Sequence, residues 1–319
     1  MSLFFKIIII IFTQQFLFFF LSHNFLIMNK MTRRTFTQTV TLAGLSTLVP
    51  VSLLKGRKRH IGVQLWSVRE DLKKDPEGTL KAIRKMGYRE IEGFGFANGK
   101  FWGKTPKEFR QYLSDNGLSM PSAHVGLTTQ HYDKSKGMLT DEWKQAVDAA
   151  AVMGQQFVVS PWMNDDERQG DKLKMLLEAM NKAGEYCKQA GMRFGYHNHD
   201  FEFKKSGDKL IYEHILDNTD PQLVAMQLDL YWAVYAGQDP IEWMKKHPGR
   251  FCSFHVKDMA NTPKRETVEV GEGTINFQQI FEYAPAAGVT HYIVELEDYK
   301  RTPMEGVAIA YKNLKKLKF

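Results

Sequence analysis

GYHNHDFEF, at residues 195–203, places His197 and His199 at spacing two, with Asp200 and Glu202 close behind. The run before it, MRFGY, is apolar and β-prone, and the run after it, KKSGDK, is polar and turn-like. A buried strand giving way to a loop accounts for this order. At spacing two the histidines share a face for as long as the strand persists. Three later segments close alike: AMQLDLYW, CSFHVKD and YIVELED are apolar runs with Asp229, His255 or Glu295 toward the C-terminal end. Converging imidazoles and carboxylates of this kind are what a divalent metal requires.

Outward from this stretch, strand-like and helix-like runs alternate from His60 to the C-terminus. HIGVQLWSV, YREIEGFGF, MPSAHVGL, QFVVSPW, RFGYHNH, VAMQLDLYW, FCSFHVKD and HYIVELEDY read as strands. Helical patterns follow them at Pro76–Met86, Pro106–Asn116, Asp141–Met153, a long run to Ala190, Tyr212–Leu216, Pro240–His247, within GEGTINFQQIFEYA, and at Pro303–Lys316. Asp75 and Thr105 are placed to cap the first two helices, and Gly87, Gly117, Gly154 and Gly191 to stop helices before the next strand. The alternation predicts a parallel sheet with right-handed crossovers, and eight units predict an α/β fold of the closed (β/α)8 TIM-barrel type. A doubly wound open sheet is the alternative, but no G-x-G-x-x-G follows the first strand, where a dinucleotide site needs it. The loop Ala260–Gly273 is long and charged enough to act as a flap.

The formal charge of +7 suggests an anionic partner until its distribution is read. Residues 1–60 hold eight basic residues and no Asp or Glu, which leaves 35 basic against 36 acidic residues in the body. No nucleic-acid footprint remains there. Cys187 falls in a helical pattern and Cys252 opens a strand, so two small buried thiols are expected rather than a bridge.

Three regions are expected. Residues 1–30 are an apolar segment, either a membrane helix or a start-site error upstream of a true start at Met28 or Met31. Residues 31–57 contain Arg33 and Arg34 before Phe36 and a mildly apolar stretch, which resembles a twin-arginine export signal. That implies a periplasmic protein, or one tethered to the membrane and facing the periplasm. Residues 58–319 are the single barrel domain.

In a TIM barrel the active site lies at the C-terminal ends of the strands. The polar residues there are Gln64 and Trp66, Glu92, His124, His197 and His199, Asp229, His255 with Lys257 and Asp258, and Glu295. Each has a plainer reading: a hydrogen-bonded loop histidine for His124, a solvated charge for Glu92, mutual pairing at the rim for Lys257 and Asp258. Trp66, Trp162 and Trp232 either wall a packed core or offer faces on which a sugar ring stacks. The joint pattern outweighs any one member.

VQLWSVR, YHNHDFEF, QLDLYWAVYAGQDP, FHVKD, GEGTINF and IVELE together resemble the xylose isomerase-like TIM barrels of sugar phosphate isomerases and epimerases, from about residue 60 onward. The resemblance implies a strand-end metal set of Glu, Asp, His and Glu, often holding Mn²⁺. The last three match Asp229, His255 and Glu295. The first does not: where relatives carry Glu-Asn-His, this chain has His197-Asn198-His199, and where they carry Asp-x-x-His it has Asp229-Leu-Tyr-Trp232. The expected metal ligands are therefore His197, Asp229, His255 and Glu295, for Mn²⁺ first and Zn²⁺, Co²⁺ or Fe²⁺ as alternatives.

In such epimerases two opposed carboxylates move a proton next to a carbonyl, and His197 breaks that symmetry. The leading expectation is a sugar isomerase or epimerase working through an enediolate. Glu295, His199 and Glu92 are its candidate proton-transfer groups, and Gln64, Trp66, His124, Lys257, Asp258 and Trp232 its substrate-binding residues. The second expectation is a lyase or hydrolase acting on keto-glycosides. The third is a sugar-binding barrel without turnover. A phosphodiesterase on damaged DNA shares the barrel ancestry, but the near-neutral body argues against it. The expected partner is a small-molecule sugar; the oligomeric state stays open.

Overall fold

The computed structural model describes residues 60–317. The expectations for residues 1–30 and 31–57 lie outside the described residues. Eight parallel strands close a barrel: β1 (His60–Gln64), β2 (Glu90–Gly93), β3 (Ser119–His124), β4 (Phe157–Ser160), β5 (Arg193–His197), β6 (Val224–Asp229), β7 (Phe251–Val256) and β8 (His291–Val294). Each pairs with its sequence neighbours, and β1 pairs with β8. The helices that follow them are α1 (Pro76–Met86), α2 (Pro106–Asp115), α3 (Asp141–Met153), α4 (Gly170–Gln189), α5 (Ile211–Asn218), α6 (Pro240–Lys246), α7 (Phe277–Phe281) and α8 (Pro303–Leu314).

Local chemistry sets these boundaries. Asp75 caps α1 through the Gly78 N–H, and Thr105 and Glu108 form a reciprocal capping box on α2. Such caps contribute about 1 kcal/mol each. Gly87 ends α1 at φ 121°, a conformation a side chain resists. Within the barrel, Gly62 has a packing reason as well: a Cβ there would lie 2.7 Å from Ile293 Cδ1.

The strands are shorter than their apolar runs. Gln64 ends β1 because its Oε1 accepts the Trp66 N–H and turns Leu65–Val68 into a 3-10 helix. Asp229 ends β6 in the same way: its Oδ1 accepts the Trp232 N–H and starts the short helix Leu230–Tyr235. A side-chain acceptor at a strand end satisfies the donors of the turn that follows, so the apolar pattern overruns the true strand.

Parallel register brings the polar strand ends to one level. Gln64 is paired with Glu92 and Glu92 with Ser122. His197 is paired with Gln227 and Asp229 with His255. With side chains alternating in and out, these residues face the barrel axis just beneath its C-terminal mouth. Cys187 and Cys252 are buried and free.

Candidate active site

Glu92 stands at the centre of the polar layer, fully buried. Its Oε1 accepts from Gln64 Nε2 at 2.8 Å, and its Oε2 from Ser122 Oγ at 2.6 Å and Gln227 Nε2 at 2.8 Å. His255 Nε2 lies 2.5 Å and His124 Nε2 3.1 Å from Oε1. Burial opposes the charge, but His124 and His255 outweigh it and hold this carboxyl well below the usual range. Both oxygens are consumed by protein partners, which gives Glu92 a holding position rather than the free one a proton carrier needs. Gln64 is spent in the same manner, between Glu92 and the Trp66 N–H, and is not part of the cavity lining.

Gln227, which carries no charge and lies mid-run in the sequence, organises the imidazoles. Its Nε2 donates to Glu92 and Ser253, so its Oε1 is an acceptor. That oxygen lies 3.1 Å from His197 Nδ1 and 3.0 Å from His124 Nε2. His197 therefore carries its proton on Nδ1, and its Nε2 presents a lone pair. Burial, followed by the nearby His255 and His199, pushes His197 well below its ordinary value and keeps it neutral.

His197, Asp229, His255 and Glu295 meet: one donor atom from each lies within 4.8 Å of all the others. His255 spans two carboxylates, with Nδ1 2.9 Å from Glu295 Oε2 and Nε2 on Glu92. Burial would lower His255, yet Glu295 and Glu92 raise it to about 10. Lys257, buried completely, places Nζ 3.0 Å from Asp229 Oδ2, 2.7 Å from Glu295 Oε2 and 2.6 Å from Glu297 Oε1. It pairs with these three and not with Asp258. A buried ammonium needs such company. Despite burial, Asp229, Glu295 and Glu297 raise Lys257 well above its ordinary value.

These residues fit a divalent metal on their own chemistry. Asp229 Oδ2 is buried without a hydrogen-bond donor among the described residues; Lys257 Nζ is near it but poorly aligned. His197 Nε2 offers its lone pair 3.8 Å from that oxygen. The second ring nitrogens of both histidines are held from behind, by Gln227 and Glu92, which is how metal-binding imidazoles are oriented. A second grouping, His124, His197 and His255, is also close enough to share an ion. However, His124 Nε2 lies between two acceptors, Gln227 Oε1 and Glu92 Oε1, and so carries a proton.

Above this layer lies a cavity of about 430 Å³, lined by Trp66, Phe94, His124, Pro161, Trp162, His197, His199, Glu295 and Glu297. That is the size of a small-molecule site. His199 stands between Trp162 and Trp232, with ring centroids 5.0 and 5.6 Å away. Its Nδ1 is buried without a partner among the described residues. Burial, then Lys257, lowers it to about 3, so it is neutral at working pH. The Trp232 ring lies beneath Lys257 Nζ at 5.6 Å.

Asp258 is not at the mouth. Its two oxygens accept the backbone N–H groups of Met259, Gly271, Gly273 and Ile275. It ties down the loop after β7, and its reading as a substrate ligand is replaced by that role. Sequence reasoning also passed over Glu297, which lines the cavity two residues after Glu295. Its signal was present: in IVELE the two glutamates share a face if the backbone stays extended.

A family model described as "Xylose isomerase-like TIM barrel" matches residues 80–318. An inosose dehydratase of Geobacillus thermodenitrificans is 25% identical over 279 residues, covering 77% of this chain and 92% of the relative. A crystal structure of a sugar phosphate isomerase/epimerase from Parabacteroides distasonis is 35% identical, with a TM-score of 0.72 over 82% of this chain and 96% of that one. An L-ribulose 3-epimerase structure, 16% identical with a TM-score of 0.62, covering 81% of this chain and 94% of that one, shares the fold. With the matched region spanning most of the chain and the closed eight-stranded barrel in place, this protein belongs to the xylose isomerase-like TIM barrel family.

Proposed function

We propose that this barrel is a metal-assisted lyase that removes the proton next to the carbonyl of a polyhydroxylated ketone and expels the oxygen substituent one carbon further on. The observation that carries it is a single ammonium joining two carboxyl groups on one wall: Lys257 Nζ lies 2.7 Å from Glu295 Oε2 and 2.6 Å from Glu297 Oε1, and both glutamates line the cavity. On the fifth strand, where a second carboxylate would serve a two-base epimerisation, stands an imidazole whose Nδ1 is tied to Gln227. One-sided proton chemistry follows.

The two glutamates divide the work. Against the cost of burial, Lys257 and His255 hold Glu295 well below the usual carboxylate range, so it is ionised and accepts the proton. Burial of Glu297 outweighs the attraction of Lys257 and raises it, which suits it better than Glu295 to hand a proton to the departing oxygen. Lys257 and the neutral His199 stabilise charge that develops on substrate oxygens. His197, Asp229, His255 and Glu295 would hold the metal, which when bound polarises the ketone and makes the adjacent proton acidic. Their mixed donors suit Mn²⁺, Zn²⁺, Co²⁺ or Fe²⁺. The inosose dehydratase relatives support an elimination. The cavity lining holds no arginine among the described residues, which favours an uncharged polyol over a phosphate ester.

The test is incubation of the metal-loaded protein in D₂O with cyclic and open-chain keto-polyols. Loss of the β-oxygen in the product is expected, together with solvent deuterium at the carbon next to the carbonyl in the recovered substrate. Exchange followed by a moved carbonyl or an inverted carbon, without β-loss, would replace this reading with the isomerase or epimerase one, which the Parabacteroides distasonis neighbour favours. We propose further that the twin-arginine segment exports the protein; fractionation of a tagged full-length chain with Arg33→Lys and Arg34→Lys checks it.

A further inference from the structure

Among the described residues, two tryptophans are among the few large apolar side chains left exposed, Trp66 at 44% and Trp162 at 46%. They stand on different loops, after β1 and β4, yet border the same cavity. Each belongs to its own aromatic group. Trp162 meets His199, which in turn meets Trp232, beside the buried ion-pair cluster. Trp66 meets Phe94 edge-on at 5.3 Å, and Phe94 meets Trp102 at 5.6 Å. Trp66 is also held in place: the Arg69 guanidinium lies 4.6 Å from its ring centroid and bonds to the Trp66 carbonyl and Tyr299 Oη. A ring so fixed loses little freedom on receiving a ligand.

One aromatic wall suffices for one sugar ring. We infer that the Trp66–Phe94 shelf is a second subsite, and that the substrate is a two-ring keto-glycoside whose leaving group is a ring alcohol rather than water. This rests on the elimination proposed above and specifies its substrate. Apolar faces of pyranose rings pack on indole, while their hydroxyls remain in water at a half-exposed wall.

Elimination of a glycosidic oxygen constrains the chemistry. The oxygen must lie β to the ketone, so with the leaving oxygen on C1 the ketone is at C3 and the proton leaves C2. The C2–H pair becomes the C1=C2 double bond, and the C1–O bond breaks toward oxygen. That oxygen takes a proton and departs as the second ring's hydroxyl. The step is redox-neutral and needs no co-reactant. The reaction that supplies such a substrate is an oxidation of a secondary alcohol on an intact glycoside.

The test uses the metal-loaded full-length protein, methyl 3-keto-glucoside and a 3-keto-disaccharide. Trp66→Ala is expected to lower kcat/KM for the disaccharide about tenfold more than for the methyl glycoside, the value of one lost aromatic contact. Trp66→Phe should recover most of that difference. Equal losses on both substrates, or none, would overturn the subsite while leaving the elimination intact. Trp66-dependent disaccharide binding by calorimetry without β-loss would support the subsite and remove the elimination. Neither binding nor turnover of the disaccharide by the wild type would end the two-ring substrate, and only failure of β-loss from the methyl glycoside and the keto-polyols as well would end the elimination.

Discussion

Glu92 stands directly behind His255: its Oε1 lies 2.5 Å from His255 Nε2, on the side of the ring away from Glu295. The carboxylate fixes which nitrogen keeps a proton and so frees Nδ1 to face the metal-type cluster. Glu92→Gln keeps the volume and removes the charge that stabilises this arrangement. Divalent-metal affinity, followed by calorimetry, should fall about 10- to 100-fold while the circular dichroism spectrum stays native. Unchanged affinity would show that Glu92 only fills the barrel.

Metal loading should release a proton. His255 is held as an imidazolium, raised to about 10 by Glu295 and Glu92 against burial, and Nδ1 must shed that proton to become a ligand. Calorimetric titrations with Mn²⁺ near neutral pH, in buffers of different ionisation enthalpy, should give heats that differ by about one proton per ion. Buffer-independent heats would contradict the ligand assignment.

Glu202 should give the protein a pH-dependent stability of a particular sign. It accepts from Tyr196 Oη at 2.6 Å and from the His199 N–H at 2.7 Å, fully buried in the turn after β5. Burial raises it from 4.5 to about 7. Between those values the native state holds a proton that the unfolded chain has lost. The contribution of this group is therefore complete below pH 4.5 and is lost as the pH rises to about 7. Integrated, this amounts to about 3 kcal/mol at most. Urea midpoints of the wild type and Glu202→Gln across that window should diverge, with the wild type falling relative to the variant as the pH rises. Parallel curves would be the wrong outcome.

Asp258→Ala should loosen the loop after β7 without disturbing the cluster of His197, Asp229, His255 and Glu295. Four backbone N–H groups lose their acceptor, and stability should drop by about 2 kcal/mol or more. Hydrogen exchange at Gly271, Gly273 and Ile275 should accelerate. Protection of these amides in the variant would mean that another acceptor holds the loop.

The thiols should be inert in the native protein. Burial raises Cys187 to about 12 and Cys252 to about 11, and neither is bridged. A thiol-reactive chromogenic disulfide should label neither until denaturant is added and both afterwards. Fast labelling of the native protein would show that one of the two positions opens readily.

The sequence alone determined the architecture and the level of the site. Strand and helix periods differ, and caps such as Asp75 and Thr105 and stops such as Gly87 are local chemistry, so eight units could be counted without coordinates. His197, Asp229, His255 and Glu295 were legible because each closes an apolar run, and a parallel barrel sends all such ends to one face. The tertiary structure alone decided which polar atoms remain free there. Glu92 and Gln64 look like mouth residues in one dimension, but partners up to 163 positions away consume their oxygens and nitrogens. Asp258 follows Lys257 in the chain, yet Asp258 turns into its loop while Lys257 turns into the cluster. Gln227 has no charge to draw attention, and becomes the acceptor for His197 through the pairing of β5 with β6 and for His124, on β3, through closure of the barrel. A strand end advertises its chemistry in the sequence; strand register decides whether that chemistry is spent on a neighbour or left for a ligand.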